Sequence, residues 1–577
     1  MCQGIGSFSS GVITGDKAYL GFAHVDCASS DAHDKDRGPH MNAIQSSVDA
    51  TSAEFVGNAA SLLQIVDAMR AIQQRVVDKS FESQPKFTKL GKILPHARVR
   101  LLLDAGAPFI ELCGLAGYMR HDDKDGSDAG GGIIAGIGFV SGARCLVMAS
   151  NSAIKGGTVS PAGLEKTLRL QQIALQSKLP LIALTESGGA NLSRVGEIFA
   201  HGGRGFANQA RLSAAGIPMV TVVHGNATAG GAYQPGLSDY VIAVRKQTAM
   251  FLAGPPLLLA ATGEVATEED LGGAEMHTQV AGSAEYLAEN DVDGIRIARD
   301  IVAMLNWKET APNIQREVVE PLYSAEELLG LVPNDPKKPF DMKEVIARLV
   351  DGSKFLEFKS EFDNQTVCGW AHIGGFTVGI ITNNGPITAQ GAAKTAQFIQ
   401  LCDQTKRPLL FLHNTTGFMV GTESEQLGVI KHGAKFIQAV ANARVPKISL
   451  VVGSSYGAGN YAMCGRGLDP HFIFAWPNSH TAVMGGPQAG KVLRIVTEEK
   501  QRKAGIVSTP ESLDFIELST AAMMDQQSTA LFGTAHLFDD GLIDPRDSRR
   551  LLVFLLQTIA EAEGRALQPN SFGVARF

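Results

Sequence analysis

Backbone N–H groups, more than side chains, are the chemistry that this sequence offers. Four glycine turns follow β-type runs: Gly188-Gly189 and Ala229-Gly230-Gly231 in the first half, Thr416-Gly417-Phe418 and Gly457-Ala458-Gly459 in the second. The run PMVTVV (218–223) leads into HGNATAGGAY (224–233), and ISLVVGSSYGAGNY (448–461) repeats the pattern. Strand, glycine turn and helix start together aim free N–H groups at an anion. Two such groups from separate turns, converging on one oxygen, make an oxyanion hole for an enolate. Any single turn would read as a tight strand–helix connection. Four of them, paired by a repeat, point to function.

Side-chain chemistry is thinner. Ser187 does not sit in G-x-S-x-G and has no base supplied by pattern, which argues against a serine hydrolase. Glu186 could act as a general base, but its counterpart is Asn414, and a capping or supporting role fits equally. His224 and His277 read as structural, since neither has a partner at metal spacing, and no metal is expected. Lys155 and Lys166 flank Gly156-Gly157-Thr158. That cluster is either a solvated surface or a phosphate contact for a nucleotide-tailed thioester. The seven cysteines form no C-x-x-C pair, which excludes a zinc ribbon and a disulfide framework and suggests a reducing compartment. A lone cysteine such as Cys464 reads as a small core residue.

The elements that must position these turns come twice. KTLRLQQIALQSKLPLIALTESGGA (166–190) matches KTAQFIQLCDQTKRPLLFLHNTTGF (394–418), an offset of 228 (394 − 166). Gly231 and Tyr233 map to Gly459 and Tyr461 at the same offset, and MFLAGPP (250–256) matches AVMGGPQ (482–488). A repeat of this length means two homologous domains rather than a solenoid. The glycine-rich stretch 129–150 invites a dinucleotide fingerprint, yet Ser141-Gly142 turns into another strand, so a β-meander is expected. Residues 1–40 read as a disordered extension or an appended segment, with the fold starting at Met41. The expected domains are 41–320 and 321–577, joined through the proline-rich stretch 308–340. Hydrophobic content of 45% with 19% charge describes a soluble globular chain, and 63 glycines among 577 residues mark tight turns. A net charge of −7 argues against nucleic acid, and no apolar run is long enough to span a bilayer.

At these residues the chain resembles the carboxyltransferase (β) subunit of biotin-dependent acyl-CoA carboxylases. The resemblance runs from about Ser52 to Phe577, through IKGGT (154–158), ESGGANL (186–192), TAGGAYQP (228–235), FLAGPPL (251–257), TGEV (262–265), GGAEMHT (272–278), TGFMVG (416–421), SYGAGNYAMCGR (455–466) and VMGGPQA (483–489). It implies an α/β fold of two tandem crotonase-like domains built from repeated β-β-α units. Active sites would lie between the N-domain of one subunit and the C-domain of another, in a homo-oligomer, typically a hexamer. Gly188, Gly189, Gly230 and Gly231 would hold the thioester enolate oxygen. Gly417, Phe418, Ala458 and Gly459 would hold the ureido oxygen of carboxybiotin. Lys155, Gly156, Gly157, Thr158, Lys166, Ala190, Gly202 and Ala229 would line the acyl-CoA. The biotin would ride on a partner, the biotin carboxylase and biotin-carrier α subunit, since nothing here resembles an ATP site or a biotin-attachment motif.

No side-chain base is then required, because decarboxylated biotin takes the substrate proton, in keeping with the missing acid/base pair. The absence of zinc-ribbon cysteines departs from the bacterial acetyl-CoA type. TTGFMVG (415–421) and GSSYGAGNYAMCGR (453–466) look most like the branch that carboxylates 3-methyl-2-enoyl-CoA thioesters at the vinylogous methyl carbon. Methylcrotonyl-type members carry an aromatic residue where this chain has Gly202, in HGGRGFANQ (201–209), so the resemblance is closer to the geranyl-CoA type. Methylcrotonyl-CoA is the second expectation, propionyl- or acetyl-CoA the third. A crotonase-like hydratase or a non-catalytic scaffold follows. Location would be the bacterial cytoplasm, or else the mitochondrial matrix.

Overall fold

A computed structural model describes residues 41–307, 317–333, 335 and 338–576. The expected extension 1–40 lies outside the described residues, as do 308–316 with Pro312, and Pro336, of the expected linker. The strands fall into two sheets. The first contains β1 (Ile110–Glu111), β2 (Ile133–Val140), β3 (Ala143–Ser150), β4 (Leu181–Ser187), β5 (Met219–Thr228), β6 (Tyr240–Val244), β7 (Ala249–Phe251) and β8 (Tyr286–Ala288). Its order is β1-β2-β3-β4-β5-β6-β8, with β7 added to β5. The second contains β9 (Phe355–Glu357), β10 (Thr366–Ile373), β11 (Phe376–Asn383), β12 (Leu409–Thr415), β13 (Lys447–Tyr456), β14 (Phe472–Ala475) and β15 (His480–Ala482). Its order is β14-β13-β12-β11-β10-β9, with β15 added to β13. The expected α/β class in two repeated units is what the chain adopts.

β2 and β3 form the antiparallel meander expected over 129–150, turning at Ser141 and Gly142, both at positive φ. Asp104 holds that turn by accepting from both N–H groups (2.9 and 2.7 Å). Crossover helices make the following pairings parallel. The helices Pro161–Gln176 and Ala389–Gln404 start alike: Ser160 Oγ accepts from Gly163 N–H (3.1 Å), and Thr388 Oγ1 from Gly391 N–H (2.9 Å). Each is a hydroxyl N-cap satisfying one of the orphan donors of the first turn.

The repeat extends to an irregularity. Register slips between Thr185 and Ser187 where β4 meets β5, and between His413 and Thr415 where β12 meets β13. Glu186 and Asn414 each face three residues of the neighbouring strand, 224–226 and 452–454, so the extra residues lie on β5 and β13 in matching bulges, a device that re-aims a strand end beside a site.

The two sheets share one core. Ile137, Leu146 and Leu181 of the first belong to the same buried cluster as Leu410, Leu450 and Phe474 of the second. Helix Ser548–Gly564 contributes Leu551, Leu555 and Ile559 to it. Buried ion pairs cross the seam: Arg169 bonds both oxygens of Asp540 (2.8 Å each), and Arg144 bonds Glu561 (Nε, 3.0 Å). The long helix Ala53–Phe81 rests on both halves, with Leu62, Val66 and Met69 packed among Leu115, Ile154, Val451 and Leu542. No helix among the described residues is long and apolar enough to cross a membrane.

Candidate functional site

At the end of β5 the backbone swings through Ala229, at φ 52°, into a short helical turn over Ala229–Ala232. At the end of β13 it swings through Gly457, at φ 56°, into the helix Gly457–Ala462. Both start a helical turn whose first N–H groups have no acceptor within the turn, so Gly230, Gly231, Ala458 and Gly459 present positive dipole ends.

The partner turns lie directly against these strand ends. A Cβ built on Gly189 would sit 3.8 Å from Thr228 O, and one built on Gly417 would sit 3.5 Å from Tyr456 O. Gly459 approaches still closer: its Cβ would fall 2.9 Å from Gly417 Cα, so only glycine lets the two second-half turns meet.

Direction decides which N–H groups these turns offer. Gly188 N–H donates to Gly156 O (3.1 Å), Gly189 N–H to Ser187 Oγ (3.2 Å) and Gly417 N–H to Thr415 Oγ1 (3.2 Å). The expectation that these three donate to a substrate oxygen is therefore corrected, because their protons are directed at the chain itself. Ala190 and Phe418 make matching parallel bridges with Val159 and Ile387. The bridge bonds come from their neighbours: Val159 N–H to Gly189 O, Asn191 N–H to Val159 O, Ile387 N–H to Gly417 O and Met419 N–H to Ile387 O. The N–H groups of Ala190 and Phe418 consequently point away from those bridges, because successive residues of an extended chain alternate sides.

Beneath the first-half turn lies a buried charged network. Glu186 accepts from Lys92 Nζ (2.7 Å), Arg98 Nη1 (2.6 Å) and Ser152 Oγ (2.8 Å). Burial pushes its carboxyl up, but Arg98 and Lys92 outweigh that and hold it below its ordinary value. A carboxylate with three donors is a support, not a poised base. Arg98 continues to Asp291 (3.1 Å), which accepts from His224 Nδ1 (2.6 Å). Burial lowers the imidazole to about 4, so His224 is neutral, and its structural reading holds. His277 is likewise held, by Ser283 Oγ and Met250 O (2.6 Å each). In the second half, a cleft of about 520 Å³ opens beside Asn414, Thr415 and Thr416, walled by Ile65, Phe340 and Asn384.

Lys166 is corrected outright as a phosphate contact. Its ammonium is buried and donates to Gly130 O (3.2 Å) and Ile133 O (2.6 Å), and Lys394 does the same with Asp363 O (3.0 Å) and Thr366 O (2.9 Å). The signal lay in the helical spacing, since Lys166 falls on the stripe Ala162, Leu170, Ile173. Lys155 is half exposed and pairs with Asp128 (2.6 Å) at the mouth of a cleft of about 270 Å³. Thr158, Arg120 and Arg194 also line that cleft; the two arginines escaped sequence reasoning because no motif carries them. Gly156 turns at φ 63°, and Gly157 is pinned, its Cβ position only 2.3 Å from Glu186 O.

Gly202 lies on the helix Val195–Ala214, and a Cβ there would meet nothing within 4 Å. One turn on, Phe206 reaches the turn that follows β5, its Cζ 3.7 Å from where a Gly230 Cβ would be, and it packs on Tyr233 (centroids 5.7 Å apart). Val195, Phe199, Gly202 and Phe206 thus share one face at helical spacing. The five described cysteines are buried, as expected for Cys464, and no cluster of metal-ligating side chains occurs among the described residues.

The carboxyl transferase domain profile matches residues 87–572, the greater part of the chain. The chain belongs to the carboxyl transferase family. Among its relatives is the probable mitochondrial methylcrotonoyl-CoA carboxylase beta chain of Drosophila melanogaster, 44% identical over 93% of this chain and 95% of that one. Another is the biotin-dependent 3-methylcrotonyl-coenzyme A carboxylase beta1 subunit of Mycobacterium tuberculosis, 46% identical over 84% of this chain and 92% of that one. A solved structure, the beta subunit of P. aeruginosa geranyl-CoA carboxylase, superposes with a TM-score of 0.87 at 65% identity, covering 93% of this chain and 100% of that one. The protein is the carboxyltransferase subunit of a biotin-dependent acyl-CoA carboxylase. The network around Glu186, which holds that carboxylate as a support, agrees with a carboxyl transfer that takes no base from Glu186.

Proposed function

We propose that this carboxyltransferase moves a carboxyl group from carboxybiotin, delivered by a partner protein, to the vinylogous methyl carbon of a branched enoyl-CoA, with geranyl-CoA the preferred substrate. In this reading, Ala190 with Gly230 and Gly231 receives the thioester enolate oxygen. Phe418 with Ala458 and Gly459 receives the ureido oxygen. The close approach of Gly459 to Gly417, where a Cβ would fall 2.9 Å from the Gly417 Cα, brings the two second-half turns together and supports donors that converge on one small oxygen. Biotin supplies the carboxyl group and, once that has left, the nitrogen that takes the substrate proton; the chain supplies donors and exclusion of water. Arg120 and Arg194, with Lys155 and Thr158 beside them, suit the phosphates of coenzyme A.

The observation that carries the substrate assignment is the open space at Gly202, one turn from the ring that meets the catalytic turn. An extended acyl tail laid along Val195, Phe199 and Phe206 buries methylenes worth about 0.8 kcal/mol each. The relatives' names, geranyl-CoA carboxylase and methylcrotonoyl-CoA carboxylase, bracket the same choice.

Large apolar side chains left more than half exposed support an oligomer of this chain, a hexamer by family pattern: Leu257, Leu259 and Val280 in the first half, and Ile495, Val507 and Phe515 in the second.

Gly202→Phe tests the substrate reading in the complex with the biotin-bearing subunits. The kcat/KM for geranyl-CoA should fall at least tenfold relative to that for 3-methylcrotonyl-CoA, about 1.4 kcal/mol or more. An unchanged ratio rejects the geranyl-CoA assignment and leaves the short-chain one.

A further inference from the structure

The helix that offers space at Gly202 is intrinsically weak. It contains Gly202, Gly203 and Gly205 in its interior, where glycine favours the helix less than alanine does. Its outer end is bare, with Leu192 and Phe199 both more than four-fifths exposed. Its other end is held by three ties, two made by side chains of the helix and one by the chain's last segment. Gln209 Nε2 donates to Gln234 O (3.0 Å), and Ser213 Oγ donates to Asp239 Oδ1 (2.6 Å). The third tie comes from the far end of the sequence.

After helix Ser548–Gly564 the chain crosses to the first half. Gln568 O closes on Gly216, Asn570 N–H donates to Ala214 O (2.8 Å) and Val574 N–H donates to Ser213 Oγ (2.9 Å). Arg576 then spans the segment that follows the catalytic turn. Its guanidinium donates to Leu237 O, to Ser238 O (3.3 Å) and to Asp239 Oδ1 (3.3 Å). Asp239 is buried in this knot and also accepts from Met219 N–H (2.9 Å), at the start of β5.

From Ser238 the contacts run back to the turn. Its hydroxyl donates to Gln234 O (3.0 Å) and lies 2.7 Å from Thr221 Oγ1. Gln234 bridges Thr221 (3.0 Å) and Thr185 (2.6 Å), the residue before the Glu186 bulge. In the second half Gln234 is replaced by Ala462 and Gln209 by Ile437, so this polar bracket is peculiar to the first half.

We infer that the C-terminal segment 568–576 is a strap that positions the acyl-tail groove, with Arg576 as its locking residue. It clamps the end of helix Val195–Ala214 to the 237–239 segment, so that Gly202 and Phe206 keep a fixed place relative to Gly230. The inference rests on the reading that the first-half turn receives the acyl-CoA. The tail is remote from the reacting carbon and is held alike before and during reaction, so the strap acts on KM rather than kcat.

The test is Arg576→Ala in the full chain assembled with its biotin-bearing partner. The KM for geranyl-CoA should rise about tenfold, the equivalent of one lost charge-assisted hydrogen bond, with kcat nearly unchanged. The KM for 3-methylcrotonyl-CoA, which has no tail to lay in the groove, should stay within about twofold. Arg576→Lys should recover part of the loss, since an ammonium still reaches one carbonyl. Val574→Pro, which removes a single N–H, should reproduce a smaller rise if the arginine variant assembles poorly. Equal rises for both thioesters, or a lower Tm with unchanged KM values, overturn the strap. Running the transfer backwards, from carboxylated geranyl-CoA to free biotin, separates the two readings: a rise confined to the biotin KM overturns the assignment of the first half to acyl-CoA, and the inference with it.

Discussion

Ala229 and Gly457 occupy the same point of the repeat, 228 residues apart (457 − 229), and both hold left-handed backbone, at φ 52° and 56°. One position uses the residue that adopts this region freely; the other forces it on alanine at a cost of about 1–2 kcal/mol. Such strain persists where surrounding structure over-determines the backbone, and it gathers at functional turns.

Exchanging the two residue types should be unequal. Gly457→Ala adds a Cβ 3.1 Å from Val483 O on top of the backbone strain, and should lower stability by roughly 1–3 kcal/mol. Ala229→Gly trades released strain against a more flexible unfolded chain, and should stay within about 0.5 kcal/mol of the parent. Differential scanning calorimetry at one protein concentration compares them, and matching losses would contradict the geometry.

Ala458→Pro asks whether the helix start at 457–462 donates to a reacting oxygen. Proline is tolerated in a first helical turn but brings no N–H. Loss of one such donor should cost about 2.7–4 kcal/mol of barrier, two to three orders of magnitude in kcat. Acyl-CoA binding, read by calorimetric titration, should persist because its proposed donors lie in the other half. A folded variant with normal turnover removes Ala458 from the site.

Stability should fall as pH rises from about 4 to about 7 because of Asp539. Its carboxyl is buried, with Oδ1 unpartnered in the structure, and burial next to Asp540 pushes it up to about 7, against relief from Arg466 and Thr534. The folded state then holds a proton that the unfolded state has released above about pH 4, so folding is favoured on the acid side and that contribution is lost by about pH 7. Asp539→Asn should flatten this dependence. Its Tm advantage over the parent should be small at pH 5 and larger at pH 8, and an advantage independent of pH would assign the group another role.

Much of this was legible in residue order. The repeat appeared as a constant offset, and the coordinates extend it to caps, bulges and buried lysines. The meander over 129–150 was readable because Ser141-Gly142 cannot start a helix there. What escaped was direction. A sequence shows that Gly188 and Gly417 sit in turns, but not that their N–H groups face Gly156 O and Thr415 Oγ1. Nor does a basic residue beside a glycine cluster disclose that it points inward. Lys166 lies on the apolar stripe of its helix, and helical periodicity outranked the motif. The contacts of Arg576 with the first half join residues 337 apart or more, a distance over which no local pattern reports.

The seam between the sheets bears on whether the chain can be divided. Helix Ala53–Phe81 rests on both halves, while the stretch beyond Gly564 leaves its own half to pack on the other. Splitting the gene near the proline-rich connection would give two polypeptides, each with bare apolar surface and broken buried ion pairs. The architecture works as a clasp: with the end segments packed across the seam, neither half leaves without baring the other.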